Sequence, residues 1–195
     1  MKPDVFHVVA LAGSLRIGSF NRLLLLAAAQ CAPEGMTITV YDDLSSVPLF
    51  NEDLELVANP PAVQRLRRAV DEANGLLIAT PEYNHSLPAV LKNAIDWLSR
   101  AAPAQALPGK PVAIVGATTG RWGTRLAQAA LRQTLNATGA LVLPQPPVFL
   151  SGAATKFDAS GRLLDEAARD DVRSQMHAFR DWMRLTGGMP YVEPL

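Results

Sequence analysis

Short apolar runs alternate with amphipathic stretches along most of the chain. Val5 to Leu11 is apolar on both faces apart from His7, the pattern of a parallel strand covered by helices above and below. His7 there reads as a satisfied core or edge histidine. Met36 to Tyr41 interleaves Thr37 and Thr39 with apolar neighbours, which suits a strand nearer the sheet edge, entered through a turn at Pro33-Glu34-Gly35. Gly75 to Thr80, Pro111 to Gly116 and Ala140 to Leu143 are each short, apolar and bounded by Gly or Pro, which predicts three further strands.

Between them lie helical patterns. Leu23 to Ala29 is nearly all apolar and predicts a buried helix. Asn59-Pro60-Pro61 opens a second, with Asn59 as cap and a Val63, Leu66, Val70 stripe, leaving Arg65, Arg67 and Arg68 as a solvated face. A third begins near Trp122, with Leu126, Ala130, Leu131 and Leu135 opposed to Arg125, Gln128, Arg132 and Gln133. Val172, Met176, Phe179 and Met183 mark the apolar side of a last one, with His177 on its surface. Leu44 to Asn59 has no clean period and is longer than most connections in α/β units, so it is expected to be a loop that carries function or meets a partner.

Strand–helix alternation of this kind implies a doubly wound parallel sheet with helices on both faces and a ligand crevice at the carboxyl ends of the strands. Three polar segments follow strands one, three and four, and one ligand could touch all of them. The first, Ala12 to Asn21, leads into the buried helix, whose free N–H groups and dipole favour an anion. Ser14, Ser19 and Asn21 add hydrogen-bonding groups, Arg16 adds a charged fork suited to phosphate, and Gly13 and Gly18 permit close approach. Neither G-x-G-x-x-G nor G-x-x-x-x-G-K-[ST] occurs there, so a terminal monophosphate suits the loop better than a pyrophosphate or triphosphate. Asp42 and Asp43 stand where a Rossmann acid would reach a ribose hydroxyl, and they alone support a flavin-free dinucleotide dehydrogenase.

The residues Gly13-Ser14-Leu15-Arg16 with Gly18-Ser19-Phe20-Asn21, then Pro81-Glu82-Tyr83-Asn84-His85-Ser86-Leu87-Pro88 running into Leu91-Lys92-Asn93-Ala94-Ile95-Asp96-Trp97, and more loosely Gly116 to Gly123, resemble the NAD(P)H-dependent FMN reductases of flavodoxin-like fold. The likeness spans roughly residues 5 to 150. It implies an α/β, flavodoxin-like, doubly wound, five-stranded parallel sheet of order 2-1-3-4-5 that binds FMN. It also implies a phosphate at Ser14, Arg16, Ser19, Phe20 and Asn21, contacts from Pro81, Glu82, Tyr83, Asn84 and Ser86 to the ring or ribityl chain, and Thr118, Thr119 and Gly120 on the pyrimidine side. NADPH, or NADH, would be the reductant and a small acceptor such as a quinone the oxidant, using one site in turn. Arg121 is a candidate for a 2′-phosphate.

The same residues allow plainer readings. Pro, Asn and Ser form turns, Tyr83 could pack in the core, and Ser86 or Pro88 could merely start a helix. His85 sits in the expected crevice, but hydride transfer needs ring positioning rather than a protein base, so it receives no catalytic role. Lys92 and Asp96 are spaced to pair on a helix or to meet a neighbouring subunit, and Trp97 reads as core or interface. No G-x-S-x-G elbow and no His/Cys cluster supports a serine hydrolase or a metal site.

Composition narrows the partners. A chain of 195 residues is expected to fold as one domain, 1–195. Its formal net charge of +0 gives no global field for nucleic acid or an anionic membrane. It is also unlike the acidity of flavodoxin-type electron carriers, so a carrier or flavin-binding regulator stands as the alternative to the enzyme. Charged residues make up 18%, below the usual ~25%, which agrees with a homodimer or homotetramer, as does the resemblance. The single cysteine, Cys31, cannot form an internal disulfide and reads as a packed thiol in a reducing, cytoplasmic setting. Met1-Lys2-Pro3-Asp4 and the apolar run after it imitate a signal peptide, a reading rejected because cleavage would remove the first strand.

Overall fold

The computed structural model describes residues 5–100 and 106–187; Met1 to Asp4 lie outside them. Five parallel strands run in the order β2-β1-β3-β4-β5, formed by Met36–Tyr41, Phe6–Ala12, Gly75–Ala79, Pro111–Ala117 and Leu141–Val142. A sixth, β6 (Val148–Leu150), pairs with the distal half of β4, Val115 opposite Val148. The fifth position is therefore split in two. Pro144, Pro146 and Pro147 stand between the halves, and residues without N–H groups cannot carry a ladder through.

Alternate residues of the strands feed two cores. Val8, Ala10, Leu77, Ala113 and Val115 face one side, packed under α1 (Phe20–Gln30) and α6 (Glu166–Thr186) through Leu24, Leu25, Met176 and Phe179. Val9, Leu11, Leu76, Ile78, Val112 and Ile114 face the other, under α3 (Pro61–Glu72), α4 (Ala89–Leu98) and α5 (Arg125–Asn136) through Leu66, Val70, Leu91, Ile95, Leu131 and Leu135. The strands are thus buried on both faces, as their continuous apolar runs require.

Four expectations need correcting. Leu44 to Asn59 is not a bare loop: it holds a 3-10 turn at Leu44–Ser46 and a short helix, α2 (Glu52–Val57), capped by Asn51, whose side chain accepts the Asp53 N–H at 2.9 Å. Arg100 clasps this segment to the end of α4 by bonding Glu55 at 2.7 Å and Glu52 at 2.9 Å. Asn59 does not cap α3; Pro60 stands at that position with no side-chain bond. Arg67 is not solvated: it is buried and donates to the carbonyls of Trp97 and Arg100 at 3.3 and 2.9 Å. On α5 the polar Gln128 is buried while Leu126 is exposed, because Gln128 Nε2 donates to the Val148 carbonyl at 2.8 Å and so ties the helix to β6.

Trp97 is core, with its indole N–H on the Pro48 carbonyl at 2.8 Å, and Lys92 pairs with Asp96 at 2.6 Å. Cys31 ends α1 as a free, half-buried thiol. Among the described residues no helix is long and apolar enough to cross a membrane, and no group of three or more His, Cys, Asp or Glu could hold a metal ion.

Candidate functional site

The loops after β1, β3 and β4 close around a cleft of about 230 Å³. Ser14, Arg16, Ser19, Phe20 and Asn21 line it from the first loop, Pro81, Glu82 and Tyr83 from the second, and Thr118 and Thr119 from the third, beside Ala117 at the end of β4. Asn84, Ser86 and Gly120 lie outside this lining. Ala117, within the Gly116 to Gly123 stretch, is not among the expected contacts.

The loops meet closely because two positions have no side chain. A Cβ on Gly13 would stand 2.6 Å from Leu91 and 2.8 Å from Pro81, so glycine there lets the first loop rest against the second loop and α4. A Cβ on Gly116 would stand 1.9 Å from the Thr124 hydroxyl and 2.7 Å from the Thr80 carbonyl, which lets the turn before α5 fold onto β4. Gly13 thus makes room for neighbouring protein.

At the head of α1, Ser19 is the N-cap, its hydroxyl accepting the Arg22 N–H at 3.3 Å, and no acidic residue occupies the first turn. The N–H groups of Leu15, Arg16 and Ile17 donate to no acceptor among the described residues. Unmatched donors and an unopposed helix dipole make an anion cradle. Asn21 has a different task. Its amide donates to the Ala117 carbonyl and accepts the Ala117 N–H, both at 2.9 Å and buried, which locks the head of α1 to the end of β4.

The second loop is a tight turn. Tyr83 and Ser86 exchange backbone hydrogen bonds at 3.2 and 3.0 Å, and Asn84 and His85 between them both have positive φ, 51° and 61°. This is the geometry of a type I′ turn, which glycine and asparagine adopt most readily. The turn takes up the Tyr83 and Ser86 N–H groups and puts Asn84 at its exposed tip. Tyr83 is half-exposed rather than packed in a core. Glu82 also does unexpected work: its Oε2 accepts the N–H groups of Leu126 and Ala127 at 2.9 and 3.0 Å, capping α5 from another loop. Thr124, the residue at that helix start, is left-handed with φ 57° and makes no cap. His85 Nδ1 lies 3.8 Å from Glu82 Oε1.

In the third loop the Thr118 hydroxyl accepts the Gly120 N–H at 3.2 Å, and the Gly152 N–H donates to the Gly120 carbonyl at the same distance. These bonds hold the loop against the segment after β6. Arg121 stacks over the exposed Trp122 ring at 4.8 Å just beyond it. The residues fit FMN: a donor-rich, uncompensated helix head with Arg16 for the phosphate, and two rigid loops for a planar ring.

Residues 6–155 match the family described as NADPH-dependent FMN reductase. An NAD(P)H-dependent FMN reductase of Pseudomonas aeruginosa is 48% identical over 185 residues, covering 95% of this chain and 99% of that protein. A quinone reductase of Escherichia coli K12 is 37% identical over 183 residues, covering 93% and 97%. Among solved structures, FerB, a flavoenzyme NAD(P)H:(acceptor) oxidoreductase of Paracoccus denitrificans, superposes with a TM-score of 0.85 at 32% identity, covering 93% of this chain and 99% of its own. By motif, by sequence and by fold, the chain belongs to the NADPH-dependent FMN reductase family.

Proposed function

We propose that the protein is an NAD(P)H oxidoreductase that binds FMN in the three-loop cleft and passes electrons to small acceptors such as quinones. The convergence of the three polar loops on one cleft, beside an anion cradle without acidic residues, is the observation that carries this reading. Family membership supports it.

In this reading Arg16, Ser14 and the free N–H groups at the head of α1 hold the phosphate, with Ser19 and Phe20 closing around it. Asn21 keeps that cradle in register with β4. Pro81, Glu82 and Tyr83 wall the ring on one side, with Thr118 and Thr119 on the other; Asn84 and Ser86 shape the turn that presents Tyr83, and Gly120 holds the Thr118 hydroxyl. Capping α5 sets the Glu82 carboxylate against the positive end of the α5 dipole, which partly offsets its charge beside the ring. FMN, when bound, supplies the hydride-accepting and electron-donating chemistry. The chain's residues supply position, and no side chain is required as a base. Reductant and acceptor use the same open cleft in succession, which predicts ping-pong kinetics.

The neutral chain agrees with small-molecule substrates and disfavours nucleic acid. Exposed Leu49, Leu56 and Val57 on the β2–α3 segment support a homodimer or homotetramer, to be read by light scattering after gel filtration. The half-buried free thiol and nicotinamide-dependent chemistry support a cytoplasmic location.

The deciding experiment is an absorbance spectrum of purified protein reconstituted with FMN, before and after anaerobic NADPH or NADH. Bound flavin bleached by either supports the reductase. Flavin that binds but stays oxidised with both favours a carrier or regulator. Failure to bind flavin overturns the reading.

A further inference from the structure

One stretch of chain after β6 braces the first and third loops together. Its near half holds the third loop by backbone bonds: the Thr118 N–H donates to the Leu150 carbonyl at 2.9 Å, the Ala153 N–H to the Thr118 carbonyl at 3.0 Å, and the Gly152 N–H to the Gly120 carbonyl at 3.2 Å. Its far half doubles back as a hairpin from Lys156 to Leu164, in which the Leu164 N–H donates to the Lys156 carbonyl at 2.8 Å and the Asp158 N–H to the Arg162 carbonyl at 3.0 Å. At the tip the Asp158 carboxylate accepts the N–H groups of Ser160 and Arg162, both at 2.9 Å. The hairpin is thus fixed by its own bonds.

What it presents to the first loop is Phe157. That ring is buried and stacks on Phe20, with centroids 5.8 Å apart and planes inclined by 27°. Phe20 is the first residue of α1, beside the N-cap Ser19, and lines the three-loop cleft. The hairpin is seated on the next turn of α1 as well, because Gly161, with φ 82°, would bring a Cβ to 2.7 Å from Leu23. A phenylalanine has no hydrogen bond to fix it, so packing alone selects its rotamer, and an aromatic partner favours one ring orientation over others. Phe157 itself does not line the cleft, so its effect there passes through Phe20.

We propose that Phe157 is a positioning residue for the cofactor: it holds the Phe20 ring as a wall of the anion cradle, so that the hairpin sets how tightly the phosphate end of FMN is kept. The inference rests on the FMN reading of the cleft.

The test is fluorescence titration of the flavin-free protein with FMN and with riboflavin, which lacks the phosphate. The variants are Phe157→Leu, Phe20→Leu and the double variant, since leucine keeps an apolar side chain and removes the stack. Phe157→Leu should weaken FMN binding by about two- to tenfold, the value of an aromatic pair, and riboflavin binding less. The double variant should bind FMN no more weakly than Phe20→Leu alone, because Phe157 has no other route to the cleft. A merely structural contribution would instead add to that of Phe20→Leu. Should Phe157→Leu fail to fold, Asp158→Ala, which removes the bonds at the hairpin tip, decides: it must weaken FMN binding in the wild-type background and not in Phe20→Leu. Unchanged FMN affinity, additive losses, or equal losses of FMN and riboflavin overturn the proposal and leave the reductase reading standing. Failure of the wild-type protein to bind FMN removes that reading itself.

Discussion

Single residues in the cleft divide into those with free polar groups and those already bonded to protein, and the two kinds fail differently when changed. Arg16 belongs to the first. Arg16→Ala should weaken FMN binding by about 10- to 100-fold, the value of a hydrogen bond to a charged group, without lowering the melting temperature of the apoprotein; fluorescence titration reads it. Asn21 belongs to the second. Asn21→Leu leaves the buried N–H and carbonyl of Ala117 unpaired and should cost at least about 2 kcal/mol in urea unfolding. If Asn21→Leu instead kept wild-type stability and lost only FMN, the clamp would not be its role. Both residues stand in the same short polar motif, and nothing in that motif tells which one is bonded to the far strand.

At the scale of elements, the clearest device is a helix capped from elsewhere. α5 begins after a left-handed Thr124 without a cap of its own, and Glu82 replaces it. Glu82→Ala should destabilise the protein by about 1 kcal/mol through the lost cap, seen as a lower melting temperature, and should weaken FMN binding as the second and third loops come apart. α6 starts conventionally: Asp165 accepts the Ala168 N–H at 2.8 Å, and that bond, helped by Lys156, holds its carboxyl below the usual carboxylate range. Asp158 is lowered likewise, mainly by the Ser160 hydroxyl and then the Arg162 N–H. Folded values below the unfolded value of about 3.9 mean that the stabilisation is complete above that pH and is lost as pH falls through the folded values. Unfolding curves between neutral pH and pH 3 should show stability falling most steeply at the acid end, and Asp158→Asn with Asp165→Asn should flatten that slope.

Across the whole molecule, the readable part of the sequence is the part written in periodicity. Unbroken apolar runs marked β1, β3 and β4 because strands covered on both faces tolerate no polar alternation, and the 4-3-4 spacing of Val172, Met176, Phe179 and Met183 marked the buried side of α6. Where periodicity failed, a long-range bond had overridden local pattern. Arg67 and Gln128 looked solvated by spacing, yet each meets backbone carbonyls more than 19 residues away and is buried for that reason. The prolines after the fifth strand read only as its boundary; neither its splitting nor the return of β6 to β4 was foreseen, since strand pairing depends on what remains free along a neighbour.

The sequence by itself therefore determined the strand–helix alternation, the three polar loops and their placement at one edge of the sheet, because these follow from residue type and local spacing. Only the tertiary structure decided which loop residues keep free polar groups. That Asn21 clamps Ala117, that Glu82 caps α5 and that Arg67 and Gln128 are buried all depend on contacts between segments distant along the chain. Such contacts exist only once the sheet has brought those segments together.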